Sequence, residues 1–257
     1  MKENWEIIKF LGHTKKICYV DNKIHKLNGP AVIDYIINND GNEIILKELW
    51  YKNDKQHRDG NKPASIIYYE DGKVKEVKYF VDNKIHKENG AAVVGFYRNG
   101  KICYMKYFKN GKLSNAEKPS TLEFDKNGIL RFQAYCLNGE CHRENGPALE
   151  MFDSYGNISK VEYYINGALH RIDGPAVISY SSRKRIEEVS YFINGIYIKK
   201  NEYDKLVEKI QNKSIIKSVN RYKKKKFNII YQMVKYYGDK DVIEVFDNKQ
   251  IINKLSL

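Results

Sequence analysis

Five histidines recur at a nearly fixed step along this chain, and a cation follows each of them. Imidazole is a common metal ligand and the commonest general base, so this row is the first candidate for chemistry. A serine holds the same position in one degenerate copy. The copies begin at His25, His57, His86, Ser114, His142 and His170. The steps between them are 32, 29, 28, 28 and 28 residues, which indicates one supersecondary unit repeated along the chain.

Each copy continues into a short element that contains glycine or proline. The clearest copies read His-Arg-Glu-Asn-Gly-Pro-Ala and His-Arg-Ile-Asp-Gly-Pro-Ala. Proline lacks an N–H and glycine tolerates a left-handed backbone, so we interpret the element as a bulge or tight bend that interrupts a strand. All five prolines of the chain belong to it. Its glycines and prolines are Gly29, Pro30, Pro63, Gly90, Pro119, Gly146, Pro147, Gly174 and Pro175.

Neighbouring histidines of this row cannot share one metal ion. Repeats that are two strands apart separate corresponding side chains by about 10 Å, whereas zinc ligands lie about 2 Å from the metal. We therefore interpret each imidazole as a structural group that bonds backbone atoms of the adjoining bend, and we expect no metal site and no cofactor. The following cation either holds a polyanion or stays solvated or paired with acidic neighbours such as Glu88 and Glu144. These cations are Lys26, Arg58, Lys87, Arg143 and Arg171.

Two kinds of turn signal alternate between these elements. One is the Asn-Gly type, as at Asn138-Gly139, which is a strong hairpin signal because type I′ turns need positive φ at both central residues. The other is centred on a glycine that recurs every 28 residues, at Gly72, Gly100, Gly128 and Gly156. The apolar runs between these turns predict strands at residues 74–80, 102–108, 129–136, 158–164 and 186–192.

Successive hairpins without helical crossovers predict a mainly β fold, an elongated single-layer antiparallel β-meander of about six repeats of 28 residues. Residues 1–200 would form this ribbon, with residues 1–14 as an N-terminal capping hairpin. Residues 201–257 would form a basic, largely helical C-terminal segment. We expect a short helix at residues 202–211 and another from Ser214 to Gly238, whereas residues 242–257 fit either a hairpin or a helix.

The Asn-Gly turns also predict which side chains face each other. The turn at Asn138-Gly139 places Cys136 opposite Cys141, at about 4.5 Å between Cα atoms, which is within disulfide range. The pair is therefore either two buried, reduced thiols or a disulfide. Other hairpins place an aromatic residue opposite an apolar one. Those pairs are Phe80 with Ile85, Phe108 with Leu113, Tyr164 with Leu169 and Phe192 with Tyr197.

The alternation of Tyr-Phe-x-Asn-Gly hairpins with glycine-terminated hairpins resembles MORN-type repeats over roughly residues 15–200. The His-Arg-x-x-Gly-Pro-Ala element is similar to the variant found in proteins of AT-rich giant DNA viruses and some phages. This resemblance implies single-layer β-ribbons that scaffold, dimerise or contact membranes. Three copies depart from the pattern: the one at Ser114 lacks histidine and glycine, the one at His86 has Ala91 in place of proline, and the one at His57 has an extra residue before Pro63.

The chain of 257 residues carries a net charge of +13, which indicates an acidic partner or the codon bias of an AT-rich genome. Residues 201–257 hold 13 Lys or Arg and 7 Asp or Glu, a net charge of +6. This tail could bind nucleic acid or an anionic membrane, or its cations could line a solvated helix face. The densest cations are Arg221, Lys223, Lys224, Lys225 and Lys226.

We find no phosphate-binding glycine loop, metal motif or nucleophile elbow, so we expect neither an enzyme nor a small-molecule substrate. The leading hypothesis is a non-enzymatic repeat scaffold, viral or virion-associated, that presents an extended surface to a protein partner or to itself. The alternative is a nucleic-acid or anionic-membrane adaptor acting through the basic tail. Without a signal peptide or an apolar run of about 20 residues, we expect an intracellular protein, in the host cytoplasm or the virion.

Overall fold

The computed structural model describes residues 2–115 and 118–211 of the chain. It consists of antiparallel hairpins that follow one another along the chain, and a short helix ends the described part. The predicted mainly β meander with a small C-terminal helix is therefore confirmed. The chain forms two compact units, one of residues 1–141 and 149–158 and the other of residues 142–148 and 159 onward.

The first unit contains twenty strands of two distinct lengths, four to eight residues or only two. In chain order they are β1 (Asn4–Phe10), β2 (His13–Val20), β3 (Lys23–Ile24), β4 (Val32–Ile37), β5 (Glu43–Leu49), β6 (Tyr51–Lys52), β7 (Lys55–Gln56), β8 (Ser65–Tyr68), β9 (Val74–Lys78), β10 (Phe80–Val81), β11 (Lys84–Ile85), β12 (Val93–Phe96), β13 (Ile102–Lys106), β14 (Phe108–Lys109), β15 (Lys112–Leu113), β16 (Thr121–Phe124), β17 (Leu130–Ala134), β18 (Cys136–Leu137), β19 (Glu140–Cys141) and β20 (Leu149–Phe152).

The longer strands of this unit form one sheet in the order β1-β2-β4-β5-β8-β9-β12-β13-β16-β17-β20. Most of the two-residue strands pair only with each other, as β6–β7, β10–β11, β14–β15 and β18–β19, around the Asn-Gly-type turns. The predicted facing pairs, including Phe80 with Ile85 and Cys136 with Cys141, are confirmed. The Asn-Gly hairpins are thus small side ladders, and the glycine-centred hairpins build the main sheet.

The prediction of one continuous strand at residues 74–80 is wrong, because the strand breaks at Tyr79. The Tyr79 N–H donates to the Ala92 carbonyl, and the Tyr79 carbonyl accepts from the His86 N–H. Tyr79 therefore joins both ends of the bend, and the chain leaves the main sheet there. The predicted strands at 102–108, 129–136 and 158–164 break in the same way at Tyr107, Tyr135 and Tyr163.

A small residue after the proline position of each element anchors the core of the main sheet. Ala31, Ala64 and Ala92 are completely buried, and Ser120 takes this place in the degenerate copy. Each donates its N–H to a carbonyl of a neighbouring strand, such as Ala92 to Lys106. No larger side chain fits this column at native packing density, which explains why the element ends in alanine or serine.

The second unit contains two bend elements, residues 142–148 and 170–176, together with the remaining strands and the short helix. These strands and the helix are most of β21 (Ile158–Glu162), β22 (Tyr164–Ile165), β23 (Ala168–Leu169), β24 (Val177–Tyr180), β25 (Ile186–Ile193), β26 (Ile196–Ile198) and α1 (Lys200–Gln211). The predicted strand at residues 186–192 stays continuous within β25 and pairs Phe192 with Tyr197 as expected.

The helix α1 confirms the helix predicted at residues 202–211 and begins at Lys200. Its Tyr203 is buried with Ile193 and Ile198, and Leu206 and Val207 pack against them. The Tyr203 hydroxyl donates to the Gly174 carbonyl at 3.1 Å, so the helix is fixed to the last bend element. The predicted helix from Ser214, the ambiguous segment 242–257 and the basic run from Arg221 to Lys226 lie outside the described residues.

Candidate functional site

Each repeat histidine accepts a hydrogen bond from the next repeat. Its Nδ1 accepts from the backbone N–H of the first residue of the Asn-Gly-type turn that precedes the next histidine or serine of the row or, for His170, of the turn between β25 and β26. The N···N distances are 3.1 Å from Asn53 to His25, 3.4 Å from Asp82 to His57, and 3.1 Å from Asn110 to His86, from Asn166 to His142 and from Asn194 to His170. The imidazoles therefore bond a turn of the following repeat rather than their own bend. We call this contact the histidine latch.

The latch requires a neutral imidazole with its proton on Nε2, because Nδ1 is the acceptor. Two carboxylates favour this tautomer: Asp59 lies 2.9 Å from Nε2 of His57, and Glu88 lies 3.3 Å from Nε2 of His86. The hydrogen bond from His57 holds the pKa of Asp59 below its ordinary value, with help from Lys52. Burial lowers the pKa of His170, although its bond to Asn194 opposes this.

The degenerate copy keeps the latch with a different atom. The Oγ of Ser114 accepts from the backbone N–H of Asn138 at 3.4 Å. Sequence comparison of the copies had marked this position only as a departure from histidine. The common requirement is a side-chain acceptor at this place, and a serine hydroxyl meets it.

The cation that follows the repeat histidine lies over an aromatic ring at Lys26, Arg58, Lys87 and Arg171. The Arg171 guanidinium lies 3.9 Å from the Tyr163 ring centroid and donates to the Pro175 carbonyl at 3.3 Å. Arg58 does the same with Trp50 and the Pro63 carbonyl, at 3.9 Å and 3.1 Å. The Lys87 ammonium lies 3.7 Å from the Tyr79 ring centroid, and Lys26 covers Trp5 at 4.7 Å. One face of each of these four cations is thus occupied by the fold, which leaves them poorly suited to hold a polyanion.

The glycine of the element makes room for this stacked cation. At Gly146, where φ is +137°, a Cβ atom would lie 3.3 Å from Cζ of Arg143. At Gly29, where φ is +128°, it would lie 3.2 Å from Cε of Lys26. Glycine therefore satisfies both a left-handed backbone and a close side-chain approach.

The two cysteines predicted to face each other do so across β18 and β19. Their Sγ atoms are 3.8 Å apart, and both residues are thiols. Cys136 is buried and Cys141 is half-buried.

A cavity of about 580 Å³ opens on the main sheet of the first unit, and we call it the N-terminal groove. Its floor is one row of directly paired residues across β1, β2, β4, β5 and β8. At the β1 end of the row Phe10 also lines the groove, and 71% of its surface is exposed. Four strand spacings make the row about 20 Å long. In order across the sheet the row is Ile8, Lys15, Asp34, Lys47 and Ile67.

Cations dominate the charged lining of this groove. Lys15, Lys47, Lys75 and Arg98 line it against two carboxylates, those of Asp34 and Glu70. Lys75 and Arg98 approach the Tyr69 ring at 5.6 Å and 5.0 Å from its centroid. The Tyr69 hydroxyl donates to the Phe96 carbonyl at 2.8 Å, which fixes the ring. The groove therefore offers apolar contacts and positive charge side by side.

Sequence reasoning did not single out the groove residues. The row depends on the register within the β4–β5 hairpin, which shifts by one residue between Asp34 and Tyr35. The β8–β9 hairpin has the same shift between Ile67 and Tyr68, next to the end of the row. A bulge of this kind moves every later side chain to the other face, and nothing in the residue types marks its position. The Leu11-Gly12 turn alone would have given the pairing of Ile8 with Lys15.

Within residues 2–115 and 118–211 no group of three or more His, Cys, Asp or Glu side chains converges as metal ligands would. Over the same residues no helix has the length and apolar character needed to cross a bilayer. No protein-family model matches the chain, and a search of curated proteins finds no significant match.

Proposed function

We propose that this chain is a non-enzymatic β-repeat scaffold that binds an acidic, apolar segment of a protein partner in the N-terminal groove. The observation that carries the proposal is the paired row from Ile8 to Ile67, in which the two isoleucines flank Lys15, Asp34 and Lys47. The exposed Phe10 at one end of the row adds an aromatic side chain, and aromatic residues are among those that contribute most to the binding energy of protein interfaces.

The charge of the chain decides between a foreign partner and a second copy. The chain carries +13 overall, and cations outnumber carboxylates in the groove by four to two. Two copies would repel each other on approach, whereas an acidic segment would be attracted and steered into place. A foreign acidic partner is therefore the better occupant.

The repeats supply a rigid support for this groove. Latches from Asn53 to His25 and from Asp82 to His57 join successive repeats in the part of the chain that carries the row, and Arg58 lies over the Trp50 ring. Preformed geometry lowers the entropy cost of binding, which is the advantage of a scaffold over a flexible segment. The similarity of the bend element to repeats of giant DNA viruses extends the proposal to a virion-associated or host-cytoplasmic protein.

A defined peptide tests the proposal directly. A fluorescein-labelled peptide of sequence Phe-Phe-Glu-Glu-Phe-Phe spans about 20 Å when extended, the length of the row, and presents both residue types on each face. We expect it to bind the full chain at low salt in fluorescence anisotropy, and the variant K15E/K47E to lose about tenfold or more in affinity. The matched control K112E/K126E changes the same charge at exposed positions outside the groove.

A second pair of variants separates apolar contact from charge. Phe10→Ser removes the exposed aromatic of the groove, and Tyr155→Ser removes an aromatic that is 84% exposed elsewhere in the same unit. Only Phe10→Ser should lower the affinity for the peptide. Equal losses in K15E/K47E and K112E/K126E, or no binding by the wild-type chain, would refute the groove as the binding site.

The basic tail supports a second function, because its cations are concentrated at Arg221 and from Lys223 to Lys226. Such a run binds nucleic-acid phosphates or anionic lipid through counterion release and surface attraction. Replacing Lys223 to Lys226 with Gln should abolish a salt-dependent shift of DNA or anionic vesicles. Absence of any shift at low salt would exclude this function.

A further inference from the structure

We propose that Cys136 and Cys141 form a reversible disulfide when a peroxide oxidises them. This bond would cross-link the β18–β19 hairpin, which follows the degenerate copy at Ser114. The two residues are direct partners across the hairpin, and their Sγ atoms are 3.8 Å apart. The two-residue turn between β18 and β19 makes them a non-hydrogen-bonded pair, in which the Cα separation of about 4.5 Å permits a disulfide. The inference goes beyond the proposed function and does not depend on the groove.

The position of the pair is unusual among the hairpins. The corresponding residues elsewhere are larger: Tyr51 faces Gln56, Phe80 faces Ile85, and Tyr164 faces Leu169. Two thiols bury less apolar surface than an aromatic residue opposite an aliphatic one, so this hairpin has the weakest packing across its ladder.

The same hairpin also receives its latch from a serine in place of the repeat histidine. Its Asn138 N–H bonds Oγ of Ser114 at 3.4 Å, whereas the Asn110 N–H bonds the His86 imidazole at 3.1 Å. Two departures from the repeat, the serine and the cysteine pair, therefore act on one hairpin. A covalent bond between its strands would compensate for both, because it removes conformations from the opened hairpin.

The surroundings of the two sulfurs favour the reaction. The Cys141 thiol donates a hydrogen bond that lowers the pKa of Cys136, Ser120 adds to this effect, and burial opposes it. Loss of one proton leaves a single negative charge on two hydrogen-bonded sulfurs, and transfer of the remaining proton along that bond places the thiolate on Cys141. A thiolate is the nucleophile in this chemistry. Cys141 is the less buried of the two, so an oxidant reaches it first.

The reaction balances with hydrogen peroxide as the oxidant. The Cys141 thiolate attacks one peroxide oxygen, the O–O bond breaks, and hydroxide leaves, which gives a sulfenic acid. Cys136 then attacks that sulfur as a thiolate, so that the S–S bond forms, the S–O bond breaks, and a second hydroxide leaves. The two protons of the original thiols convert the two hydroxides to water, and a dithiol such as dithiothreitol reverses the step.

A tryptic map of the full chain tests the proposal, because residues 132–143 form one tryptic peptide that carries both cysteines. The reduced chain is treated with graded hydrogen peroxide at neutral pH, alkylated and digested without reductant. We expect this peptide to become two hydrogens lighter and to lose both alkyl groups, about tenfold faster than Cys103 oxidises. In Cys136→Ser the link cannot form, and dimedone should trap a sulfenic acid at Cys141.

Retention of two alkylated thiols in this peptide after Cys103 has reacted would overturn the proposal, as would links between two chains. Hydrogen exchange tests the cross-linking role with Ser114→His, which places an imidazole at the latch. Oxidation should slow amide exchange at residues 135–141 by about tenfold in the wild-type chain and by less in this variant. Equal slowing in both would contradict the cross-linking role. These experiments measure peptide masses, and none of them depends on binding in the groove. A negative result would therefore refute the disulfide without bearing on the groove.

Discussion

Nδ1 of His86 accepts the backbone N–H of Asn110 at 3.1 Å, across a separation of 24 residues. The bond joins the bend element of one repeat to the turn of the next. The same relationship recurs at four other histidines and, through a hydroxyl, at Ser114. The repeated histidine therefore holds neighbouring repeats together.

The first prediction concerns the latch itself. His86→Ala should lower the free energy of unfolding by about 1 kcal/mol, because the acceptor of the Asn110 N–H is lost. His86→Ser should retain part of that stability, since Ser114 shows that a hydroxyl can serve. Urea unfolding followed by circular dichroism measures both, with exchange of the Asn110 amide as the local readout. Equal stability of wild type and His86→Ala would refute the role of the latch.

A pH dependence follows from His170. Burial lowers its pKa in the folded state below the value of about 6.5 in the unfolded chain, so the unfolded state binds the proton more readily. The stability contributed by neutral His170 is complete above pH about 6.5 and is lost as the pH falls through and below that value. We expect exchange of the Asn194 amide to accelerate over this range in wild type.

The control for this pH effect is His170→Gln, which cannot titrate there but keeps an acceptor oxygen. Its stability between pH about 7 and 5 should fall less than that of the wild-type chain. An identical slope in both proteins would show that His170 does not carry the effect.

Removing a stacked cation should cost more than removing a solvated one. Arg171→Ala loses the contact with the Tyr163 ring and the hydrogen bond to the Pro175 carbonyl, and we expect a loss of about 1–2 kcal/mol. Arg183→Ala, at an exposed position of the same unit, should change stability by less than about 0.5 kcal/mol. Chemical unfolding of the two variants gives the comparison, and similar values would contradict a structural role for the cation.

The element glycine should tolerate no side chain. Gly146→Ala combines a left-handed backbone at φ +137° with a Cβ 3.3 Å from Cζ of Arg143, so we expect a loss above about 2 kcal/mol. Gly72→Ala has φ +78° but no atom within 4 Å of the added Cβ, so only the backbone cost of about 1 kcal/mol applies. Thermal unfolding distinguishes them, and equal losses would show that the cation does not need the space.

The hairpins were predictable from sequence because their determinants are local. Asn138-Gly139 fixes the pairing of Cys136 with Cys141 through the backbone geometry of two residues. The break of the strand at Tyr79 could not be predicted from sequence, because it depends on hydrogen bonds to Ala92 and His86 across the bend. The sequence also did not reveal the donor to each imidazole. That donor is a backbone N–H, which residue types do not distinguish. The row in the groove depends on bulges, which sequence pattern does not place.

The latch donor is always a backbone N–H, whatever the residue that supplies it: aspartate at Asp82 and asparagine at Asn110 serve equally. An in-frame insertion or deletion of 28 residues would therefore add or remove one complete latch. The repeats on either side of the change would still be joined by a backbone N–H and a side-chain acceptor. Repeats of this design can be duplicated or deleted by unequal recombination without inventing a new contact. The departures at Ser114 and at the cysteine pair, where smaller residues replace the usual ones, leave the backbone donor of the latch unchanged.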